Sequence, residues 1–306
     1  MKKKSSNMSA VSVTIQNQKT MNIFEYIAKS FFEIFNSTKK KVAVLRLNGP
    51  IGKASVFGSK GLNLENTNKL IEKAFSLSKL SAVILVINSP GGSPVQSELI
   101  ASRIINLSKE KDIPVYCFIE DVAASGGYWL ACAGHEIYGS KSSIVGSIGV
   151  ISTGFGLTDA ISKIGIERRV YTSGKNKSIL DPFLPAKKDD IKIITSLQRE
   201  IHNHFIDYIK SRRGGRLTKS DDLLFNGEFW SGEVASEYGL IDGIDDMYSF
   251  IKKRFGKNAK IEYVSPKESW IKKKLNIVSQ SFSTSLGNEI RSSLQDILAS
   301  SKYKIE

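Results

Sequence analysis

Between residues 40 and 256, apolar runs typical of strands alternate with segments whose apolar residues recur at helical spacing. The clearest strand is Ala82–Ile87, a continuous run of mostly β-branched residues typical of a parallel strand covered on both faces. It is separated from a predicted strand at Val42–Leu47 by Asn66–Lys79, which carries one apolar helical face. This alternation predicts an α/β fold with right-handed crossovers.

The same pattern continues toward the C-terminus and predicts one central domain over residues 39–256. Further strands are predicted at Ile113–Ile119, Glu136–Gly139 and Ile166–Tyr171. Further helices are predicted at Val95–Lys109, Leu157–Ile164, Asp189–Arg212, Glu233–Tyr238 and Asp245–Arg254.

Two extensions flank this domain. Residues 1–38 are predicted to form a polar tail followed by an amphipathic helix at Met21–Phe35. Packing of this helix on its own domain or on a partner subunit is the preferred interpretation, and a position at a membrane interface is the alternative. Residues 257–306 are predicted to form a helical extension, with helices at Trp270–Gln280 and Leu286–Ser300.

The chain is basic, with 44 Lys and Arg against 30 Asp and Glu and a net charge of +14. Such an excess permits attraction to nucleic acid or to an anionic membrane. The lysines occur in scattered tracts without the aromatic–basic alternation of a nucleic-acid module, so we expect no nucleic-acid partner. Peripheral membrane contact stays an expectation. The sequence shows neither a secretory signal nor a membrane-spanning run, and we expect a cytoplasmic protein or one peripheral to the inner membrane.

The cysteines and histidines predict no metal and no cofactor. Cys117 and Cys132 both lie in apolar runs, where free thiols behave as small core residues. The three histidines, His135, His202 and His204, are not spaced to share a metal ion.

Ser125 is the most informative residue for chemistry. It lies between the predicted strand Ile113–Ile119 and an apolar, helix-like run at Gly126–Ala133. A serine at such a turn has an exposed hydroxyl beside the free N–H groups and positive dipole end of the helix. That arrangement builds a nucleophile with its own oxyanion donors. The alternative is an ordinary N-cap serine, since serine is a preferred cap.

Two glycine-containing segments are candidates for the rest of the site. Asn88-Ser-Pro-Gly-Gly92 directly follows the buried strand, and its glycines leave backbone N–H groups unshielded. Gly91 or Gly92 can therefore supply one oxyanion donor and Gly126 the other, although an ordinary strand-to-helix turn is the alternative. The run Ser143–Val150 suits close packing beside an extended peptide, or else forms a loop at a tightly packed sheet edge. The predicted substrate groove comprises Asn88, Ser89, Ser147, Ile148 and Gly149.

A serine nucleophile also needs a base. His135 is expected at the far end of the helix after Ser125, and His202 and His204 on a surface-type helix. A lysine can replace histidine if desolvation lowers its pKa toward neutrality. Lys177, in a segment bounded by Gly174 and Pro182, is the candidate, although a loop lysine is more commonly a solvated surface charge.

Five motifs occur in order over roughly Val42–Lys253, and together they resemble the signal peptide peptidase (protease IV) family of serine proteases. They are Asn88-Ser-Pro-Gly-Gly92, Ala123-Ala-Ser-Gly-Gly-Tyr-Trp129, Gly146-Ser-Ile-Gly149, Ser173-Gly-Lys-Asn-Lys-Ser-Ile-Leu-Asp-Pro-Phe183 and Gly227-Glu-Phe-Trp-Ser-Gly-Glu-Val-Ala-Ser-Glu-Tyr-Gly-Leu-Ile-Asp242.

The resemblance implies a Clp/crotonase-type α/β fold of repeated ββα units and a Ser–Lys dyad. It makes Ser125 the nucleophile and Lys177, the third residue after Gly174, the base in preference to Lys175. Single-domain bacterial relatives form ring-shaped homo-oligomers in which the lysine reaches the serine of a neighbouring subunit. Typical members carry an N-terminal transmembrane anchor, and from the absence of a membrane-spanning run in this sequence we expect none here.

The function implied is a serine endopeptidase that cleaves signal-peptide remnants or membrane-associated proteins. One alternative is an acyl-CoA hydratase or isomerase that uses the same oxyanion donors with a catalytic glutamate, for which Glu98 and Glu120 are available. A second alternative is an inactive peptide-binding scaffold.

Overall fold

The computed structural model describes residues 40–52 and 61–265, which contain eight strands and eight α-helices. The strands are β1 (Lys41–Asn48), β2 (Leu80–Ser89), β3 (Val115–Ala124), β4 (Glu136–Gly139), β5 (Ile144–Gly146), β6 (Phe229–Ser231), β7 (Gly243–Ile244) and β8 (Lys260–Val264). The helices are α1 (Leu64–Phe75), α2 (Pro94–Lys111), α3 (Gly126–Ala131), α4 (Thr158–Lys163), α5 (Lys188–Arg213), α6 (Asp221–Leu224), α7 (Gly232–Glu237) and α8 (Met247–Phe255).

All eight strands belong to one mixed sheet. Its main path runs β6-β5-β3-β2-β1-β8, while β4 pairs with the first half of β3 and with β7. Every pair is parallel except β5–β6, which is antiparallel. The α/β class predicted from the strand–helix alternation is confirmed.

Helices cover the centre of the sheet on both faces, which explains the unbroken apolar run of β2. Leu85 faces the larger core, together with apolar residues of α1, α2, α3 and α5. Its neighbour Ile84 faces the opposite core, where Phe250 of α8 packs against Phe118 of β3. Successive side chains of a strand point to opposite faces, so both must be apolar here.

Three predictions about the elements need adjustment. The strand predicted at Ile166–Tyr171 is wrong, because these residues are irregular and almost entirely exposed, with no strand partner in the described chain. Strand β3 extends five residues further than predicted, to Ala124, and therefore ends directly at Ser125. The extension predicted to be helical from residue 257 contains a strand, β8, which pairs with β1 and continues the sheet.

The predicted amphipathic helix within residues 1–38 and the predicted helices beyond residue 265 lie outside the described residues. Within the described part of the chain, no helix has both the length and the apolar character needed to cross a bilayer.

Candidate active site

Ser125 occupies the sharp turn between β3 and α3, as the sequence predicts. Its backbone has φ +52° and ψ −122°, a conformation that a non-glycine residue rarely adopts and that concentrates at functional sites. The turn is held by a hydrogen bond from the Ser125 N–H to the Gly146 carbonyl (2.8 Å). Ser125 occupies the N-cap position of α3, but its side chain makes no capping hydrogen bond to the helix. The half-buried hydroxyl is therefore not used to terminate the helix.

The loop from Asn88 to Gly92 lies directly against this turn. A Cβ on Gly91 would lie 2.7 Å from the Ala124 carbonyl oxygen and 2.8 Å from the Gly126 nitrogen. A Cβ on Gly92 would collide with the carbonyl oxygen of Ile51. Both glycines also have positive φ, +97° and +144°, which side chains disfavour. Glycine is therefore required at both positions for the loop to approach Ser125.

The backbone N–H groups of this region divide into bonded and free donors. The Gly91 N–H donates to Ser89 Oγ (3.2 Å). No hydrogen bond connects the N–H of Gly92 or of Gly126 to an acceptor in the described chain. The Gly92 nitrogen lies 3.4 Å from the position that a Cβ of Gly126 would occupy, so the two free donors are neighbours. Two such donors beside a serine can bind the oxyanion of a tetrahedral intermediate.

Ser125 lines two adjoining cavities. The smaller has a volume of about 20 Å³, roughly the room of one water molecule, and its apolar wall includes Trp129, Ile201 and Phe205. The Phe205 ring stacks on the Trp129 indole with their centroids 4.7 Å apart. The larger cavity, about 660 Å³, is an open groove between the Asn88–Gly92 loop and the segment after β5. The arrangement suits an extended chain that inserts one small apolar side chain beside Ser125.

The predicted groove residues divide into two groups. Ser147 and Gly149 line the larger cavity. Ser89 and Ile148 are fully buried, so their side chains do not reach the groove surface. The Asn88 side-chain amide donates to Asp121 (2.7 Å) and lines neither cavity.

His202 is a site residue that the sequence analysis missed. We predicted a surface-type position, but His202 is half-buried and lines the larger cavity together with Ser125. Its Nε2 lies 3.1 Å from the Ile148 carbonyl oxygen and donates to it when protonated. The spacing of His202 to Phe205 and Ile209 places all three on the core-facing side of α5, and this helical spacing could have indicated the position.

Lys177 is exposed within the single chain. It lies in a turn in which its N–H donates to the Gly174 carbonyl (3.1 Å), and it lines neither cavity that contains Ser125. No other lysine among the described residues lines them. Within one chain, the structure therefore does not bring the predicted base to the serine.

The segment that precedes Lys177, from Ile151 to Tyr171, is exposed over nearly its whole length. Its large apolar side chains include Ile151, Phe155 and Tyr171, which are 84%, 82% and 91% exposed. Apolar side chains in such number normally lie in an interface.

The two glutamates considered for hydratase chemistry lie elsewhere. Glu98 is exposed on α2, and Glu120 forms an ion pair with Arg46 (2.5 Å). Neither lines the cavities that contain Ser125. Within the described ranges, no group of three or more His, Cys, Asp or Glu residues is arranged to hold a metal ion.

The two thiols are core groups. Cys117 and Cys132 are free and buried, and burial raises the pKa of Cys132 to about 11. Neither thiol is therefore a ready nucleophile, because only a thiolate attacks efficiently.

Comparison with known proteins finds one matching family and several relatives. The profile of Peptidase family S49 matches residues 108–260. The Na(+)/H(+) antiporter NhaA of Brucella melitensis is 48% identical over 241 residues, covering 79% of this chain and 33% of that protein. The putative signal peptide peptidase SppA of Enterococcus faecium is 29% identical over 223 residues, covering 71% of this chain and 64% of that protein. The chain thus spans about a third of the antiporter and just under two thirds of the putative peptidase.

Among solved structures, the 1510-N membrane-bound stomatin-specific protease is similar, with a TM-score of 0.48 and 19% identity. The similarity covers 75% of this chain and all of that one.

Proposed function

Since this chain belongs to peptidase family S49, we propose that it is a serine endopeptidase whose nucleophile is Ser125. The observation that carries the proposal is the turn at Ser125, where a strained backbone presents the hydroxyl beside the free N–H groups of Gly92 and Gly126. A strained conformation persists only where the surrounding structure imposes it, and here the same structure supplies the donors that acyl transfer needs.

In the proposed reaction, Ser125 Oγ attacks the scissile carbonyl carbon while a base removes its proton. The carbonyl electrons move onto oxygen, and the N–H groups of Gly92 and Gly126 stabilise the resulting oxyanion. Collapse of this intermediate expels the amine, which takes the proton from the base and leaves an ester on Ser125. Water then gives its proton to the same base and attacks the ester. In the second collapse the base returns its proton to Ser125 and the product leaves as a carboxylic acid, which loses its own proton to water.

We assign the base to Lys177 of a neighbouring copy in a ring-shaped homo-oligomer. Two features of the chain support this assignment. Lys177 is exposed and does not line the cavities of its own Ser125. The apolar side chains of the preceding segment, Phe155 and Tyr171 among them, are those that association would bury. Burial at such an interface would also remove water from the lysine. This desolvation favours the neutral amine, which is the form that can act as a base.

His202 is a second candidate base, because it already shares a cavity with Ser125. Its Nε2 is occupied by the Ile148 carbonyl, so it would have to act through Nδ1. Lys177 is preferred because it matches the family motif that follows Gly174.

The proposed substrates are extended peptides with a small apolar residue next to the scissile bond, since the cavity beside Ser125 holds only about 20 Å³. Signal-peptide remnants and membrane-associated proteins meet this description. A location at the surface of the inner membrane agrees with the net charge of +14, because anionic lipids attract a basic protein.

The hydratase alternative is not favoured, because neither Glu98 nor Glu120 lines the cavities that contain Ser125. An inactive scaffold predicts no turnover by any form of the chain.

The test is hydrolysis of an internally quenched peptide by a set of single variants. We expect Ser125→Ala and Lys177→Met to lose activity by at least about 1,000-fold, as losing the nucleophile or its base does in related chemistry. Lys175→Met is the matched control, because it removes a lysine two residues away, and it should retain activity. His202→Gln should also retain most activity. Loss of activity in His202→Gln together with retained activity in Lys177→Met would assign the role of base to His202. Activity in Ser125→Ala would refute the proposal.

Mixing two inactive chains tests whether the dyad spans subunits. If Lys177 acts on a neighbour, mixed oligomers of Ser125→Ala and Lys177→Met chains contain some intact pairs and regain part of the activity. If each dyad lies within one chain, every site in the mixture has lost one partner and activity stays absent.

A further inference from the structure

We infer that Ser89 is a positioning residue that holds the two oxyanion-binding N–H groups in place, an inference that rests on the proposed function. Ser89 is the last residue of β2 and its side chain is fully buried, so it cannot contact a substrate itself. Its buried hydroxyl has a hydrogen-bonding role inside the loop that carries Gly92.

The first contact is with the donor loop. Ser89 Oγ accepts the Gly91 N–H at 3.2 Å, which fixes the Pro90–Gly91 peptide unit, the neighbour of the unit that carries the Gly92 N–H. The Gly91 N–H is thereby turned inward, while the Gly92 N–H remains without an acceptor in the described chain. Without the hydroxyl, the Gly91 N–H would be buried without a hydrogen-bond acceptor. The loop would then lower its free energy by rotating this N–H toward another acceptor. Such a rotation would move the Gly92 N–H away from the oxyanion.

The second contact is with the helix that carries the other donor. A Cβ on Gly127 would collide with the Ser89 carbonyl and lie 3.2 Å from Ser89 Cβ, so Ser89 packs directly against the first turn of α3. Ser89 also pairs with Ala123 of β3, two residues before Ser125. One residue thus touches the Gly92 loop, the strand leading to the nucleophile and the helix beginning at Gly126.

We expect the substitution Ser89→Ala to weaken stabilisation of the transition state and to leave substrate binding as it is. The oxyanion forms only after attack, so misplaced donors should lower kcat and leave substrate binding unchanged. Removing a whole oxyanion donor costs about 100- to 1,000-fold in kcat. Ser89→Ala keeps both donors and loosens one, and we therefore expect a smaller fall of about 10- to 100-fold, with KM within about twofold of wild type.

The experiment compares Ser89→Ala with Ser108→Ala in the full chain. Ser108 is a matched control: it is also buried, its hydroxyl donates to the Ile113 carbonyl (2.6 Å), and it lies near the opposite end of α2 from the site. Both variants lose one buried serine hydroxyl and should show a similar decrease in Tm. Only Ser89→Ala should lose kcat. Its affinity for a peptide aldehyde, which forms a tetrahedral adduct with the serine, should fall by the same factor as kcat/KM.

Ser89→Cys keeps a weak hydrogen-bond acceptor at this position and should show an intermediate kcat; it also serves if Ser89→Ala does not fold. The inference is overturned if Ser89→Ala or Ser89→Cys retains wild-type kcat and aldehyde affinity, if the loss lies in KM, or if Ser108→Ala loses as much kcat. A wild-type chain that hydrolyses no peptide would instead refute the proposed function. An active wild type with an unaffected Ser89→Ala would refute only the role of Ser89.

Discussion

Replacing Phe205 by alanine should change both the stability and the cleavage preference of the protein. Phe205 is 3% exposed, stacks on Trp129 and forms part of the wall of the small cavity beside Ser125. Phe→Ala in a core costs about 3 to 5 kcal/mol in the free energy of unfolding. Because this side chain borders a cavity on one side, we expect a value near the lower limit, about 3 kcal/mol. A domain of this size is commonly stable by about 5 to 15 kcal/mol, so we expect the variant to remain folded.

The same substitution removes six ring carbons from the wall of the small cavity and so enlarges it. In the wild type this cavity has room for about one water molecule. A peptide with leucine next to the scissile bond should then fit where only alanine did. One methylene in an apolar enzyme pocket is worth about 10- to 200-fold in discrimination. We therefore expect the ratio of kcat/KM for the leucine peptide to that for the alanine peptide to rise at least about 10-fold.

The assay pairs urea unfolding with competition between the two peptides in one reaction, read by mass spectrometry. Tyr208→Phe is a suitable control, since Tyr208 also stacks on Trp129 (5.0 Å) but lines neither cavity. It should leave the preference unchanged. A Phe205→Ala chain that is destabilised yet prefers alanine as strongly as wild type would refute the assignment of this cavity to the substrate side chain.

Three further predictions concern the framework and the assembly. Arg213→Met should lower the free energy of unfolding in urea by about 3 kcal/mol, because it breaks a buried ion pair with Asp242 (2.7 Å) and two bonds to the Gly239 carbonyl; an unchanged midpoint would contradict this. Burial alone would raise the pKa of Asp242, but its hydrogen bond to Arg213 and the charge of that residue lower it overall. Its stabilising contribution is therefore present above the ordinary pKa of about 3.9 and lost as pH falls through the lowered folded-state value, so Asp242→Asn should flatten the acid limb of stability against pH. If the proposed oligomer forms, Phe155→Asp should dissociate it in sedimentation velocity and abolish activity together, whereas an active monomer would show that assembly is not required.

The local pattern was sufficient to predict most of the elements that carry the site. The apolar run of β2, the loop at Gly91 and Gly92 and the strand-to-helix turn at Ser125 each have a signature in consecutive residues. Their juxtaposition follows from parallel pairing of β2 with β3, which brings the ends of both strands to one edge of the sheet. The α/β class could therefore be predicted from residue patterns, and so could the proximity of these two loops.

What the pattern missed depends on contacts that are distant along the chain. The position of His202 is set by packing of α5 over the segment that contains Ile148, 54 residues earlier. The close packing of Ser89 against Gly127 joins two elements that are distant along the chain. The residues Ile166–Tyr171 have an apolar pattern but pair with no strand among the described residues, and a sequence alone does not distinguish exposed apolar residues from core residues.

The central claim is that the hydroxyl of Ser125 is the nucleophile, and covalent labelling tests it most directly. Incubation with a peptidyl phosphonate followed by trypsin should place the adduct on the peptide spanning residues 112–141, which contains two serines, Ser125 and Ser140. Fragmentation should assign the added mass to Ser125, and Ser125→Ala should take up no label. Labelling of Ser140, or undiminished labelling of the Ser125→Ala chain, would contradict the account.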